Sequence, residues 1–173
     1  MQARVKVAKE PVTVLGFVEE EKNGRLVATK KPKSYRLGFE QDFVPTESVK
    51  RPAAYLIPAK YKAAIENLTR HGLRVEELSE RKALDVEVYT VSAIDKATRP
   101  FEGHTTTDLK VTAKVESRTF DAGTAKFSTS GPLGTLAVYL LEPRSDDGLT
   151  TWNFFDDGLV VGRDFPVYRL PVR

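Results

Sequence analysis

The sequence predicts an α+β fold, mainly antiparallel β-sheet with two short helices and an N-terminal β-hairpin layer. Several runs alternate apolar and polar residues with the period of a half-buried strand. Two runs that follow a proline instead place apolar residues at helical spacing. The dipeptide Asn23-Gly24, between two strand-like runs, is a strong signal for a two-residue hairpin turn.

The N-terminal part of the chain is predicted to form short strands. The runs "VTVLGFVEEE" and "RLVATK" flank the Asn-Gly turn, and "SYRLGF" at residues 34–39 is a third candidate strand. The next run, "DFVPTESVKRP", has Pro45, Pro52 and few apolar residues, which is typical of a loop or a junction. We therefore predict an N-terminal hairpin segment over residues 1–48 and an α+β domain over residues 49–173, with one continuous domain as the alternative.

A small β-α-β unit is predicted over residues 54–78. The run "AYLI" is a brief apolar strand, and Pro58 suits the first turn of a helix. Gly72 marks the end of this helix, after which "LRVEEL" alternates as a strand. The apolar face of the helix consists of Tyr61, Ala64, Ile65 and Leu68.

Two longer strands are predicted next, followed by a second helix. The runs "ALDVEVYTV" and "DLKVTAKVE" alternate as half-buried strands, and the polar loop between them holds His104. After a turn at Gly123 and a short strand, Pro132 opens a helix that Pro143 ends. The run "LVVGRDFPVYRL" predicts one or two closing strands. The apolar positions of the second long strand are Leu109, Val111, Ala113 and Val115, and those of the second helix are Leu133, Leu136, Ala137, Leu140 and Leu141.

The composition limits the classes of protein and the kinds of site that this chain can form. A chain of 173 residues buries about 70% of its unfolded surface and needs no disulfide or metal to fold. The absence of cysteine excludes disulfides, thiol catalysis and cysteine-based zinc sites. The net charge is +3, and the excess of 11 basic over 7 acidic residues in residues 1–51 favours a solvated sheet face over a nucleic-acid site. No apolar run approaches the roughly 18 residues of a membrane span.

The sequence lacks the common catalytic motifs. Neither His71 nor His104 begins an H-x-x-E motif, and the chain contains no H-E-x-x-H, G-x-S-x-G or phosphate-loop pattern. We read His71 as favourable with the helix dipole and His104 as an exposed loop residue. The sequence therefore predicts a protein that is not an enzyme and has no cofactor.

Acidic and aromatic residues concentrate in "LLEPRSDDGLTTWNFFDDGL", residues 140–159. The Asp pairs match no calcium-loop pattern, and D-D-G sequences commonly form turns. A lone Trp in a small domain is typical of the core, and strand alternation would bury Trp152 with Phe154 and turn Phe155 the other way. The candidate ligand or interface residues are Trp152, Phe154, Phe155, Asp146, Asp147, Asp156 and Asp157.

Several blocks carry a resemblance to a known family. "RPAAYLIPA…IENLTRHGLRVEEL", "LDVEVYTV", "RPFEGH", "AGTAKFSTSGPLGTLAVYLLEPRSDDGLTTWNFFDD" and "DFPVYRL" follow one another in the chain. In this order they resemble the C-terminal, non-catalytic region of large bacterial zinc carboxypeptidases of the carboxypeptidase A-like metallopeptidase family. The resemblance covers Arg51 to Leu170, and residues 140–157 are its most specific part.

The resemblance implies a hydrolase as the parent protein, exported to the periplasm or the cell exterior. Since no position here matches the family's zinc ligands, substrate-binding Arg or Glu base, no catalytic residue carries over. We expect a non-catalytic accessory domain that contacts the parent's catalytic domain or another partner, with no nucleic acid and no membrane involved. A binding module for cell-wall glycan or peptide, using the aromatic and Asp residues of residues 140–159, is the alternative.

Overall fold

A computed structural model describes residues 3–172. Its backbone divides into two compact units, and the boundary falls between Glu47 and Ser48. The architecture is α+β and mainly antiparallel sheet with two helices, which confirms the predicted fold class.

The N-terminal unit consists of two separate two-stranded antiparallel ladders. Strand β1 (Ala3–Val7) pairs with β4 (Glu40–Pro45), and β2 (Val12–Lys22) pairs with β3 (Arg25–Leu37). The prediction of a loop from residue 42 was wrong in part, because these residues pair with β1 and the terminal Pro45 leaves the ladder unbroken. The run "SYRLGF" is likewise no separate strand, since its first residues continue β3.

The Asn-Gly hairpin turn is confirmed. Lys22 pairs with Arg25, so the loop has two residues. Asn23 and Gly24 have φ angles of 54° and 74°. Two consecutive positive φ angles are characteristic of a type I′ turn, which suits the twist of the flanking strands and favours Asn followed by Gly.

The second unit is built on one six-stranded sheet in which every pairing is antiparallel. The spatial order is β6-β9-β5-β10-β7-β8, so the last strand of the chain lies inside the sheet. The predicted β-α-β unit is present, although β9 separates its two strands. The strands are β5 (Ala54–Ile57), β6 (Val75–Glu77), β7 (Lys82–Lys96), β8 (Thr107–Phe120), β9 (Ala125–Ser128) and β10 (Tyr168–Leu170).

Two helices pack in the second unit. Helix α1 (Lys62–Arg70) buries Ala64 and Leu68, and its chain reverses at Gly72, where φ is +85°. Helix α2 is Gly134–Leu141. Both begin two or more residues after the proline that was predicted to open them. In the part of the chain that the structure describes, no helix is long and apolar enough to span a membrane.

Both faces of the six-stranded sheet carry buried side chains. On one face, residues of β5, β7 and β9 pack against both helices. On the other, Leu56, Val86, Val88 and Phe120 form a smaller cluster. The predicted apolar stripe of β8 is buried only at its start, because Leu109 is 1% exposed whereas Val115 is 66% exposed. That correction follows from topology, since β8 is the outermost strand.

Candidate functional site

Residues 142–158 follow helix α2 as consecutive turns and one 3₁₀ turn, Asp156–Gly158. The segment folds back on the helix, because the N–H of Leu149 donates to the carbonyl of Leu140 at 2.9 Å. A second reversal joins the N–H of Phe154 to the carbonyl of Leu149 at 3.0 Å. The segment is therefore compact, and the alternation expected of a strand does not apply to it.

Trp152 lies at the surface and is half-buried, so the expectation that it fills the core was wrong. Its indole N–H donates to Oδ1 of Asp147. The ring meets His104 edge to face at 5.3 Å between centroids and lies 6.3 Å from Phe101. Because the indole N–H found its partner in a neighbouring turn, the Trp did not need a buried acceptor.

Phe155 takes the core position that was predicted for Trp152. It is fully buried, and its ring packs edge to face on Tyr61 at 5.6 Å and on Phe165 at 5.5 Å. Phe154 is partly buried against the same cluster. The predicted assignment of faces was wrong because the backbone here turns, so neighbouring side chains do not alternate between two sides.

The loop that joins β7 and β8 supplies the partners of Trp152. Phe101 and His104 exchange two backbone hydrogen bonds of 2.8 and 2.9 Å around Glu102 and Gly103, which have φ angles of 47° and 82°. This is a second two-residue turn of the kind that positive φ favours. Sequence reasoning described only an exposed polar loop, and the Glu-Gly pair was the signal that could have located the turn.

Asn153 fixes that loop to the 142–158 segment. Its backbone is left-handed, with φ of 69°. Its amide nitrogen donates to the carbonyl of Thr105 at 2.9 Å, and its amide oxygen lies 3.2 Å from Nδ1 of His104. Asn tolerates this backbone conformation better than most residues, which explains its place between Trp152 and Phe154.

The two Asp pairs have separate roles. Asp156 bonds Lys96 at 2.8 Å, and Asp147 holds the indole of Trp152. Partial burial, then Asp146 and Asp147, raise the pKa of the Tyr139 phenol. Asp157 is exposed in the 3₁₀ turn. Among residues 3–172 no three His, Asp or Glu side chains are grouped so that they could hold a metal.

A buried polar cluster, which we call the Arg169 cluster, was not predicted. It comprises Arg169 of β10, Glu142 after α2, Tyr55 of β5, and Tyr89 and Glu87 of β7. The two tyrosine hydroxyls donate to the two oxygens of Glu142 at 2.6 and 2.9 Å. The guanidinium donates to the Tyr89 hydroxyl at 2.8 Å, and also bonds Glu87 and the carbonyl of Lys50.

Burial sets the protonation of this cluster. Burial first, and then the Glu142 carboxylate, raise the pKa of Tyr55 and of Tyr89. Burial alone would lower the pKa of Arg169, but Glu142, Tyr89 and Glu87 together raise it. Both phenols therefore stay protonated as donors to Glu142. Most of these polar groups bond one another, so the cluster joins strands β5, β7 and β10 to the residue that follows helix α2. A charged residue between Tyr168 and Leu170 in an apolar strand was the sequence signal for it.

The structure thus brings Trp152 and Asp147 together with His104 and Phe101, and separates them from Phe155. Comparisons with protein-family models, with curated proteins and with solved structures find no match for this chain.

Proposed function

We propose that this chain is a non-catalytic accessory domain of a zinc carboxypeptidase-like protein, and that it acts by binding the catalytic domain of its parent. The order of sequence blocks from Arg51 to Leu170 supports the choice of parent. One structural observation carries the proposal of binding, namely the exposure of apolar side chains throughout the N-terminal unit.

No residue between Ala3 and Glu47 is buried. Leu15 is 83% exposed, Phe43 71% and Leu26 70%. Ten large apolar side chains of this unit are exposed: Val5, Val7, Val14, Leu15, Phe17, Leu26, Val27, Leu37, Phe39 and Phe43. Two-stranded ladders without a buried face are marginally stable in water, and exposed apolar patches commonly mark protein interfaces. We infer that a partner surface covers these side chains.

The charge distribution fits a protein surface as that partner. Strand β2 carries Glu19, Glu20 and Glu21 before its last residue, Lys22, while β3 carries Lys30, Lys31 and Lys33. Charges of both signs beside apolar side chains are typical of an interface with an apolar centre and a polar rim. The Arg169 cluster, whose groups bond one another, supports a scaffold role for the second unit.

A peptidase assay tests the non-catalytic part of this proposal. The full chain is loaded with Zn²⁺ and given peptides with free C-termini. We expect no release of C-terminal residues, because no position of this chain matches the family's zinc ligands or its Glu base. Release that a chelator abolishes would show that the chain is itself a metallopeptidase and would end the proposal.

A binding measurement tests the partner. The probe is the H-x-x-E-containing catalytic domain encoded in the same reading frame, produced separately. We expect the Leu15→Asp/Phe17→Asp double variant to weaken binding at least tenfold, because two charges enter an apolar contact. Val161→Asp is the matched control, since Val161 is 57% exposed in the other unit. Equal binding by both variants, or a reading frame without such a domain, would refute the proposal.

A glycan- or peptide-binding module is the second candidate, and one observation favours it. Phe101 is 60% exposed, and it forms a surface group of rings with His104 and Trp152 beside Asp147. Stacking on such rings would change the fluorescence of the only Trp in the chain. Titration with cell-wall oligosaccharides and with cell-wall peptides, with Phe101→Ala as the variant, tests it; an emission spectrum that neither ligand changes excludes this candidate.

A further inference from the structure

Strand β8 has one long edge that faces away from the sheet. It is 14 residues long, and among the strands of residues 3–172 it pairs with β7 alone. In an antiparallel pair, successive residues direct their backbone N–H and C=O alternately toward and away from the partner. The N–H of Thr107 donates to the carbonyl of Thr151 at 3.3 Å, which is outside the β7–β8 pair. The odd-numbered residues that follow therefore direct their backbone groups away from β7, where another strand can bond them.

The side chains of β8 form two different rows. The even-numbered row shares its sheet face with Val86 and Val88 of β7 and is charged or polar. The odd-numbered row lies on the other face and is apolar at its centre, where Val111 is half-buried and Ala113 and Val115 are exposed. The even row is Asp108, Lys110, Thr112, Lys114, Glu116 and Arg118.

The charges of the even-numbered row are complementary to those of a second copy of the row that runs in the opposite direction. If a second β8 lies antiparallel with Ala113 opposite Ala113, Asp108 faces Arg118 and Lys110 faces Glu116, each pair twice by symmetry. On the other face, Val111 lies opposite Val115. A twofold axis requires such a self-complementary surface. Cross-strand pairs of opposite charge and of β-branched residues stabilise a sheet.

We propose that two copies of this chain associate through their β8 edges, antiparallel and centred on Ala113, to form a continuous twelve-stranded sheet. The charges select this register. A shift of the axis to Thr112 places Asp108 opposite Glu116 and Lys110 opposite Lys114. A shift to Lys114 places Lys110 opposite Arg118. Because like charges directly opposite destabilise a sheet, only the Ala113 axis is favourable among these neighbours.

The existing contacts of β8 are compatible with this pairing. Residues near Thr151 occupy the edge at Thr107, so the intermolecular ladder ends at Asp108. Arg118 bonds both Asp164, at 2.9 Å, and Glu116 through Nη2, so its Nε and Nη1 are further donors for Asp108 of the second copy. Glu116 also pairs with Lys114 at 3.2 Å, and in the dimer Lys110 of the second copy joins this group of charges. Exposure of Val115 falls when Val111 of that copy covers it. This inference does not depend on the proposed partner of the N-terminal unit.

A single introduced cysteine tests the axis, because the chain has none of its own. Directly opposite residues in antiparallel strands have Cα atoms about 4.5–5.5 Å apart, within disulfide range. We expect Ala113→Cys to give a disulfide-linked dimer under mild oxidation. Thr119→Cys is the matched control: in the same dimer its two copies lie roughly 40 Å apart and stay unlinked. Equal cross-linking of both variants would contradict the axis.

Charge exchange tests the register in solution. We expect Lys110→Glu to raise the dimer dissociation constant at least tenfold in analytical ultracentrifugation, and Lys110→Glu/Glu116→Lys to restore it. Lys62→Glu, the same change on exposed α1, leaves it unchanged. A wild-type chain that stays monomeric at about 100 times a micromolar dissociation constant overturns the inference. So does a dimer whose dissociation constant Lys110→Glu leaves unchanged. A dimer that only the Leu15→Asp/Phe17→Asp variant dissociates also overturns the inference, because that dimer would form through the N-terminal unit. The proposed function is then tested separately, by the binding measurement with the catalytic domain.

Discussion

Arg169, on the inner strand β10, has its Nε 3.1 Å from Oε1 of Glu142, the residue that directly follows helix α2. Both side chains are almost fully buried, with 6% and 3% exposed. Removing one member of a buried ion pair leaves the other uncompensated. This contact joins strand β10 to the C-cap of helix α2, 27 positions earlier in the sequence.

Arg169→Met should destabilise the fold by about 3–5 kcal/mol, because Glu142 would remain buried without its cation. Urea unfolding monitored by circular dichroism measures this. Arg74→Met is the matched control, since Arg74 is exposed and its replacement should change stability by no more than about 0.5 kcal/mol. Equal decreases in the free energy of unfolding for the two variants would show that the ion pair stabilises the fold no more than an exposed arginine does.

Stability should fall in strong alkali. Tyr55 and Tyr89 have folded-state pKa values above the ordinary value of 10.0, owing to burial and then to Glu142. Above that value the unfolded chain releases protons that the folded chain keeps, so a rising pH favours unfolding. Their contribution is complete below about pH 10, and above it each tyrosine should remove about 1.4 kcal/mol per pH unit.

Tyr89→Phe isolates one of these groups. We expect a shallower decline of the free energy of unfolding above about pH 10, measured by urea titration, while tyrosinate absorbance follows the ionisation. The same variant at neutral pH is the control. There the variant lacks the Tyr89 hydrogen bond to Glu142, and the resulting loss of stability does not depend on pH. An unchanged alkaline slope would contradict the role assigned to Tyr89.

Gly134 opens α2 where no side chain fits. A Cβ atom there would lie 1.9 Å from the carbonyl oxygen of Thr129, so Gly134→Ala must displace the helix or the loop. We expect a loss of about 1–3 kcal/mol, seen as a lower urea midpoint. Gly131→Ala is the control in the same loop, because its Cβ would meet nothing within 4 Å. Equal stability of both variants would be inconsistent with this packing.

Phe155 and Phe154 are adjacent but differ in burial. Phe155→Ala should cost about 3–5 kcal/mol, because it opens a cavity among Tyr61 and Phe165. Phe154→Ala should cost clearly less, since that ring is only partly buried. Thermal unfolding of both variants measures the difference. If Phe154→Ala cost more stability than Phe155→Ala, Phe154 would be the more buried ring, as the strand alternation of the sequence predicts.

Trp152 fluorescence reports its place at the surface. We expect acrylamide to quench it partially, and Asp147→Ala to increase quenching, because the indole loses the acceptor that holds it. Asp157→Ala is a matched change to an exposed aspartate of the second pair. An emission that acrylamide does not quench would place the indole in the core instead.

The sequence alone determined the local elements. Asn23-Gly24 predicted its hairpin because few residue pairs tolerate two positive φ angles. Both helices and the strands from β5 to β9 were found because burial on one face imposes a period that propensity and spacing reveal. It also showed the absence of catalytic motifs, which is a matter of residue types and spacing.

Tertiary structure decided the rest, because strand order and turn packing depend on contacts between residues far apart in sequence. The insertion of β10 between β5 and β7 brings Arg169 to Glu142, and no local pattern encodes that neighbour. The outer position of β8 leaves Val115 exposed despite its regular alternation. The turns after α2 place Phe155 in the core and Trp152 at the surface, since periodicity predicts burial only where the backbone is regular.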